Sequence, residues 1–198
     1  MRVWRESVWH FEDRVFNYAM QPQMGCWLFD PTSLTARLLM ACEGRFSVQV
    51  LSQRWANPLR NESRRLGLGL RQTALIREVF LYCDQTPWVF ARTVIPRSTL
   101  TGKLKYLAKL GSRPLGAVLF SDPHMRRDQF EVADIQPGEY LYTQATQHCQ
   151  TKPTQIWGRR SAFYLSQKPL LVNEIFLPTI APCPRVGYAM SRGASHAN

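Results

Sequence analysis

Hydrophobic and polar positions alternate most regularly between Ala74 and Pro96. Here Val, Ile, Phe, Tyr, Trp and Thr crowd two runs on either side of Asp84-Gln85-Thr86-Pro87. Two β-rich runs around a short polar turn predict a β-hairpin. Period-two alternation puts Leu75, Arg77, Val79, Leu81 and Cys83 on one face of the first strand, so a guanidinium interrupts an apolar row. Arginine is rarely buried without a partner, and its planar fork suits a carboxylate gripped at two points. An edge position or an internal ion pair with a nearby Glu accounts for it equally well.

The stretch from Arg159 to Pro178 repeats the plan. Adding 82 to Arg77, Pro87, Val89 and Pro96 gives Arg159, Pro169, Leu171 and Pro178, so turn proline and closing proline keep their spacing. This predicts a second, related hairpin, with chance similarity between short β-rich segments as the competing explanation. The same offset sets Arg92 against Glu174, which shares its strand face with Leu170, Val172 and Phe176. A carboxylate in an apolar row is costly unless it is paired, protonated or used.

Elsewhere the pattern is mixed. Trp4, Val8, Phe11, Val15 and Tyr18 approach helical spacing, which predicts an amphipathic helix or a strand and helix mixture over residues 1–20. Asp30-Pro31-Thr32-Ser33 supplies a cap and a first-turn proline, so a helix starts near Ser33 with free N–H groups around Leu34. Arg45 to Trp55 alternates as a strand that pairs with the first hairpin. Asn57 to Leu70, with Pro58, Gly67 and Gly69 among charges, suits either a mobile helical flap over a site or an ordinary surface connection. Leu104, Leu107 and Leu110 mark a short helix ended by Gly111, and Pro114 precedes another helix start at Leu115. Gln129 to Ala133 reads as one more strand. The polar stretch 134–155 reads as an exposed insertion, and the Pro- and Gly-containing tail 179–198 as disordered.

Composition narrows the class. At 198 residues the chain fits one domain, over residues 1–178, and is taken as a monomer. No run approaches a membrane span and Met1-Arg-Val-Trp-Arg-Glu-Ser lacks the apolar core of a secretion signal, which predicts a cytoplasmic protein without stable membrane insertion. Five scattered cysteines without a Cys-x-x-Cys pair suggest reduced thiols and neither a disulfide framework nor a zinc site. Four single histidines give no metal-ligand spacing, so no metal is expected. The net charge of +11 invites a nucleic-acid reading, but the basic residues are dispersed, with only pairs such as Arg64-Arg65, Arg126-Arg127 and Arg159-Arg160. Such pairs are ordinarily solvated surface, so no nucleic-acid partner is expected, and a small polyanion fits the charge as well.

With these residues in hand, the chain resembles the chorismate pyruvate-lyase family, bacterial enzymes that make 4-hydroxybenzoate for ubiquinone. The resemblance rests on Ser33-Leu-Thr-x-Arg37, Arg77-Glu-x-x-Leu81, Pro87-Trp-x-x-x-Arg-Thr-Val-x-Pro96, Leu110-Gly-x-x-Pro-Leu-Gly-x-x-Leu-Phe120, Trp157-Gly-Arg-Arg-Ser161 and Lys168-Pro-Leu-Leu-x-x-Glu-x-Phe-Leu-Pro178. No piece is specific alone; six in family order are. The resemblance implies an α+β fold, a single antiparallel sheet of about six strands with helices packed on it and two helical flaps over an internal ligand cavity. It implies chorismate as substrate and 4-hydroxybenzoate as product, with no cofactor, and an aromatic acid enclosed beneath flaps is expected to leave only when they open, so product inhibition is expected. It also implies a ligand held by the side chains of Arg77 and Glu174 and by the main chain at Leu34 and Leu115, with Arg77 and Glu174 as the catalytic pair. The family position matching Leu34 can be Met, a harmless change if the amide binds. Burial by its row and the Arg77 charge in the same cavity would pull the Glu174 carboxyl in opposite directions. The rival class is a non-catalytic effector-binding module of the same fold from transcription regulators. Such a regulator needs a DNA-binding domain ahead of it, and the roughly 25 residues before Trp27 are too few for one.

Overall fold

The computed structural model describes residues 4–11, 22–69 and 71–183. Of the amphipathic helix or strand and helix mixture expected over residues 1–20, the described part, 4–11, is non-helical and contributes the short strand β1 (His10–Phe11) and a bridge from Arg5 to Glu139; the remainder of that expectation, and the tail beyond 183, lie outside the described residues.

Both predicted hairpins form. The first joins β3 (Ala74–Cys83) to β4 (Thr86–Pro96), and the second joins β7 (Ile156–Leu165) to β8 (Lys168–Phe176). Each closes through two residues: Asp84 takes φ 52 in the first turn, and Ser166 and Gln167 take φ 49 and 65 in the second. Positive φ is what a tight turn compatible with strand twist requires. Register refines the repeat. Arg77 pairs with Thr93, and Arg159 pairs with Glu174. A register shift between Leu81 and Tyr82 inserts one extra residue into β4, so Pro87 still corresponds to Pro169, but from Val89 onward the correspondence drops from 82 to 81. Glu174 therefore corresponds to Thr93, and Arg92 corresponds to Asn173, with which it also pairs. The simple offset placed Arg92 against Glu174 because a bulge is invisible to spacing.

The hairpins lie side by side in an antiparallel sheet ordered β1-β6-β7-β8-β4-β3-β2, with β5 (Arg126–Arg127) also on β7. Here β2 is Phe46–Ala56 and β6 is Glu131–Ile135. The sheet has eight strands rather than six, because two two-residue strands flank the six long ones.

One face carries α1 (Pro22–Leu28), α2 (Leu34–Ala41), a 3-10 helix (Gly102–Lys109) and α4 (Leu115–Phe120). Trp27, Leu28, Leu34 and Leu38 pack there on Val79, Leu81, Val89 and Phe176, while Leu104, Leu107, Leu110 and Leu119 pack around Leu75 and Ile95. Each fully buried leucine contributes roughly 1.5–3 kcal/mol through removal from water. Behind the sheet, α5 (Tyr140–Ala145) lays Leu141, Tyr142 and Ala145 on Phe80, Phe90 and Ile175, and Leu66 and Leu68 cover Ile76, Val94 and Leu171.

A polar row crosses that rear face. Ser52, Glu78, Arg92, Asn173, Arg160 and Glu131 lie opposite one another on six successive strands. Arg92 bonds Glu78 at 2.7 Å and grips both oxygens of Glu62, from α3 (Arg60–Arg65), at 2.8 and 3.0 Å. Arg160 grips Glu131 at 2.8 and 3.1 Å. Burial opposes ionisation of Glu78, yet Arg92, with the Tyr140 and Ser52 hydroxyls, holds its carboxyl below the usual range. Glu131 is held low in the same way, by Arg160 and Arg65.

Four expectations change. Residues 57–69 are not a flap over the cavity: α3 is tied to the rear face through Glu62, which is fully buried. The 134–155 stretch is exposed only in part: 147–155 is largely at the surface, but Glu139, Leu141, Ala145 and Thr146 are buried and α5 is part of the rear core. The start of the tail is packed: Ile180 joins the front core, and Thr179 Oγ1 donates to the Pro87 carbonyl. Nor are all the thiols reduced. Disulfides join Cys26 to Cys183 and Cys42 to Cys83, with Cα separations of 6.1 and 5.6 Å, leaving Cys149 as the free cysteine. Sequence separations of 157 and 41 residues gave no local signal; the fold alone makes these cysteines neighbours. Among the described residues no helix is long and apolar enough to cross a membrane, and no three His, Cys, Asp or Glu side chains gather as metal ligands.

Candidate active site

The site forms where two helix starts meet the front of the sheet. Ser33 caps α2, its Oγ accepting from the Ala36 N–H at 3.4 Å, and Asp30 accepts from the Thr32 N–H and pairs with Arg37 at 2.7 Å. Leu34 is therefore the first helical residue, as Leu115 is in α4 behind Pro114. First-turn N–H groups have no carbonyl one turn back to bond. The two starts are close together. A Cβ on Gly116 would stand 2.6 Å from Thr35 Oγ1, so only glycine permits this approach.

Beneath them lies a cavity lined by Leu34, Leu115, Arg77 and Glu174, along with Thr35, Val79, Thr93, Phe163 and Val172. All four residues expected at the site are thus in one place. The helices that cover it are α2 and α4. A more open cleft beside Trp27, Thr154 to Trp157 and Ile180 to Pro182 has no ionisable side chain in its lining, and a third, at Val8 and Trp9, is lined by Arg65, Asp128, Glu131 and Arg160, whose charges pair with one another.

Arg77 is 2% exposed, and its Nη2 donates to the carbonyls of Gly111 at 2.8 Å and Arg113 at 3.3 Å. Gly111 takes φ 56 to turn the chain out of the 3-10 helix and present that carbonyl. The Arg77 Nε is buried without a hydrogen-bond partner, and no carboxylate among the described residues is within ion-pair distance. Burial lowers its pKa from the ordinary arginine value. The hairpin register explains the missing counterion: where β8 gives Arg159 a glutamate, β4 gives Arg77 only Thr93. The edge and internal-pair explanations for Arg77 both fail.

Glu174 has its own cation, and it is not Arg77. Arg159 Nε donates to Glu174 Oε2 at 2.6 Å, while Arg159 Nη1 donates to the carbonyls of Trp27 at 2.9 Å and Asp30 at 2.8 Å. One guanidinium thereby fixes the carboxylate and ties the loop after α1 to the sheet. Arg77 and Glu174 stand two strand spacings apart, about 10 Å, and two residues, about 7 Å, along the strands, with cavity between.

The sequence reading missed Arg127, treated as half of a solvated pair. Its side chain enters the cavity, Nε donating to Ser161 Oγ at 3.1 Å and Nη1 to the Pro31 carbonyl at 3.3 Å, beneath the Phe130 and Phe163 rings. Burial, partly countered by Glu174, pushes its pKa down to about 10. Strand β5 sends Arg126 and Arg127 to opposite faces, so one of the pair enters the cavity, but a two-residue strand leaves no alternation in the sequence to show it.

A single antiparallel sheet with α1, α2, the 3-10 helix and α4 on its front and α3 and α5 behind it defines an α+β protein, and its front cavity encloses an arginine without a counterion and an ion-paired glutamate. The family model for chorismate lyase matches residues 5–183. The chain belongs to the chorismate lyase family, carbon–oxygen lyases that need no cofactor. It is 44% identical over 160 residues to a probable chorismate pyruvate-lyase of Aromatoleum aromaticum, covering 80% of this chain and 86% of that one. It is 45% identical over 162 residues to a probable chorismate pyruvate-lyase of an Azoarcus species, covering 80% and 85%. The fold is similar to that of the PhnF C-terminal domain, with a TM-score of 0.54 at 11% identity over 72% of this chain and 89% of that one.

Proposed function

We propose that this chain is a chorismate pyruvate-lyase, releasing pyruvate from chorismate to leave 4-hydroxybenzoate, the first committed step of ubiquinone biosynthesis. The observation that carries this reading is a single cavity holding a buried arginine without a carboxylate and a glutamate across from it. The named relatives supply the reaction. In that reaction the ring loses the proton from the carbon bearing its hydroxyl. The ether bond on the next carbon breaks, and the departing enolpyruvate takes up a proton to become pyruvate. Aromatisation drives the step, so positioning and one proton-handling group suffice.

In this reading Arg77 holds the ring carboxylate with its fork, assisted by the main chain at Leu34 and Leu115. Glu174 takes the ring proton or holds the ring hydroxyl. Every residue the scheme needs comes from one chain and lies within residues 1–178, so a monomer of one domain is sufficient, with 179–183 packed against it. Incubation with chorismate in the presence of EDTA is expected to yield equimolar 4-hydroxybenzoate and pyruvate. Loss of activity with chelator and recovery with a divalent ion would remove the cofactor-free scheme. Binding of 4-hydroxybenzoate without turnover would favour the effector-binding module instead.

Product should also inhibit, because an enclosed aromatic acid leaves only when α2 and α4 part. Arg77→Lys tests the grip: lysine keeps the charge but loses the two-pronged donor face. Affinity for 4-hydroxybenzoate, measured by calorimetry, is expected to fall about 10-fold or more, the loss of one charge-assisted bond. Unchanged affinity would return Arg77 to a structural role.

A further inference from the structure

We propose that Arg127 is a substrate-specificity residue, the clamp for the second carboxylate of chorismate, the one that leaves as pyruvate. The proposal rests on the chorismate reading above and adds to it a residue that separates substrate from product. Two guanidiniums reach into the cavity without a carboxylate in ion-pair distance among the described residues, Arg77 and Arg127. A single uncompensated cation matches a monocarboxylate such as 4-hydroxybenzoate. Two match a dicarboxylate, and chorismate carries one carboxylate on its ring and another on its enolpyruvyl ether.

The geometry separates the two cations. Arg77, Thr93, Val172 and Ser161 form one cross-strand row, and the Arg127 Nε sits on Ser161 Oγ at its far end. Three strand spacings, about 14 Å between Arg77 and Ser161 Cα atoms, leave the ring between the two heads. Arg127 is also braced as a binding group is. Its Nε and Nη1 are engaged, Nη2 has no hydrogen-bond partner among the described residues, and stacking of its guanidinium centre 3.9 Å from the Phe130 centroid and 5.0 Å from that of Phe163 fixes its plane. Stacking on rings compensates a desolvated cation less than a counterion does. The arriving dianion provides the counterion. Glu174 and Arg159 already neutralise each other, so neither takes this role.

The test compares substrate with product. For Arg127→Met, kcat/KM for chorismate is expected to fall about 10²-fold, chiefly through KM, while calorimetric affinity for 4-hydroxybenzoate stays within about 2-fold. Arg127→Lys retains charge and stem, so it should show the same split at about 10-fold and serves if the methionine variant does not fold. Equal losses for substrate and product would make Arg127 a general support of the cavity and overturn the proposal. No loss in either would overturn it as well. Failure of the wild-type chain to turn over chorismate would instead defeat the underlying reading, a separate and recognisable result.

Discussion

Glu174→Gln is expected to lower chorismate turnover by about 10²-fold or more if Glu174 handles the ring proton, because an amide cannot exchange a proton near neutral pH. The geometry makes this substitution informative. Glutamine keeps the length, and its side-chain oxygen can still accept from Arg159 Nε, which now bonds Glu174 at 2.6 Å. Arg159 also retains the carbonyls of Trp27 and Asp30, so the front loop keeps its anchor. Turnover, 4-hydroxybenzoate affinity and thermal stability should be measured together. Turnover that collapses while product affinity and melting temperature hold is the outcome expected of a proton-handling group. Near-normal turnover would reduce Glu174 to a contact for the ring hydroxyl.

The largest stability effect should come from the rear face. Arg92→Met is expected to cost about 3–5 kcal/mol, because it leaves Glu62 and Glu78 buried without the cation both now bond. Stability of the wild type depends on pH, and the sign follows from Glu78, which Arg92 bonds, and Glu131, which Arg160 and Arg65 bond. Both have carboxyl pKa values below the ordinary 4.5, so their contribution is fully present above about pH 4.5 and is lost as pH falls through the folded-state values. The wild type should therefore weaken below pH 4.5. Without Arg92, burial of Glu78 disfavours its charged form, so acid should relieve part of the variant's penalty. Denaturant unfolding at pH 7 and pH 4 reads the difference directly. A gap between wild type and Arg92→Met under about 1 kcal/mol, or one that ignores pH, would show that the row contributes little.

Local order in this chain was legible wherever a period or a cap sets it. Alternation located β2, β3, β4 and β8, a capping serine placed the start of α2 within a residue, and Pro114 marked the start of α4. The charges at Arg77 and Glu174 stood out because each interrupts an apolar strand face, and both line the cavity. Polar composition misled at 134–155 and 57–69. Glu62, Glu139 and Thr146 are polar yet buried, each with a partner distant or local that composition cannot name.

What tertiary structure alone decided is which charges meet. One inserted residue in β4 sets Thr93 opposite Arg77, the place that Glu174 takes opposite Arg159, and a threonine supplies no counterion. Sheet order brings β5 onto β7, which turns Arg127 from half of a surface pair into part of the cavity wall, and it brings Cys42 and Cys83 together. A sequence by itself fixes each residue's preference and the side of its strand on which it falls. Pairing partners depend on register and strand order, which are settled by the whole sheet burying both its faces at once, and a one-residue bulge is enough to change them.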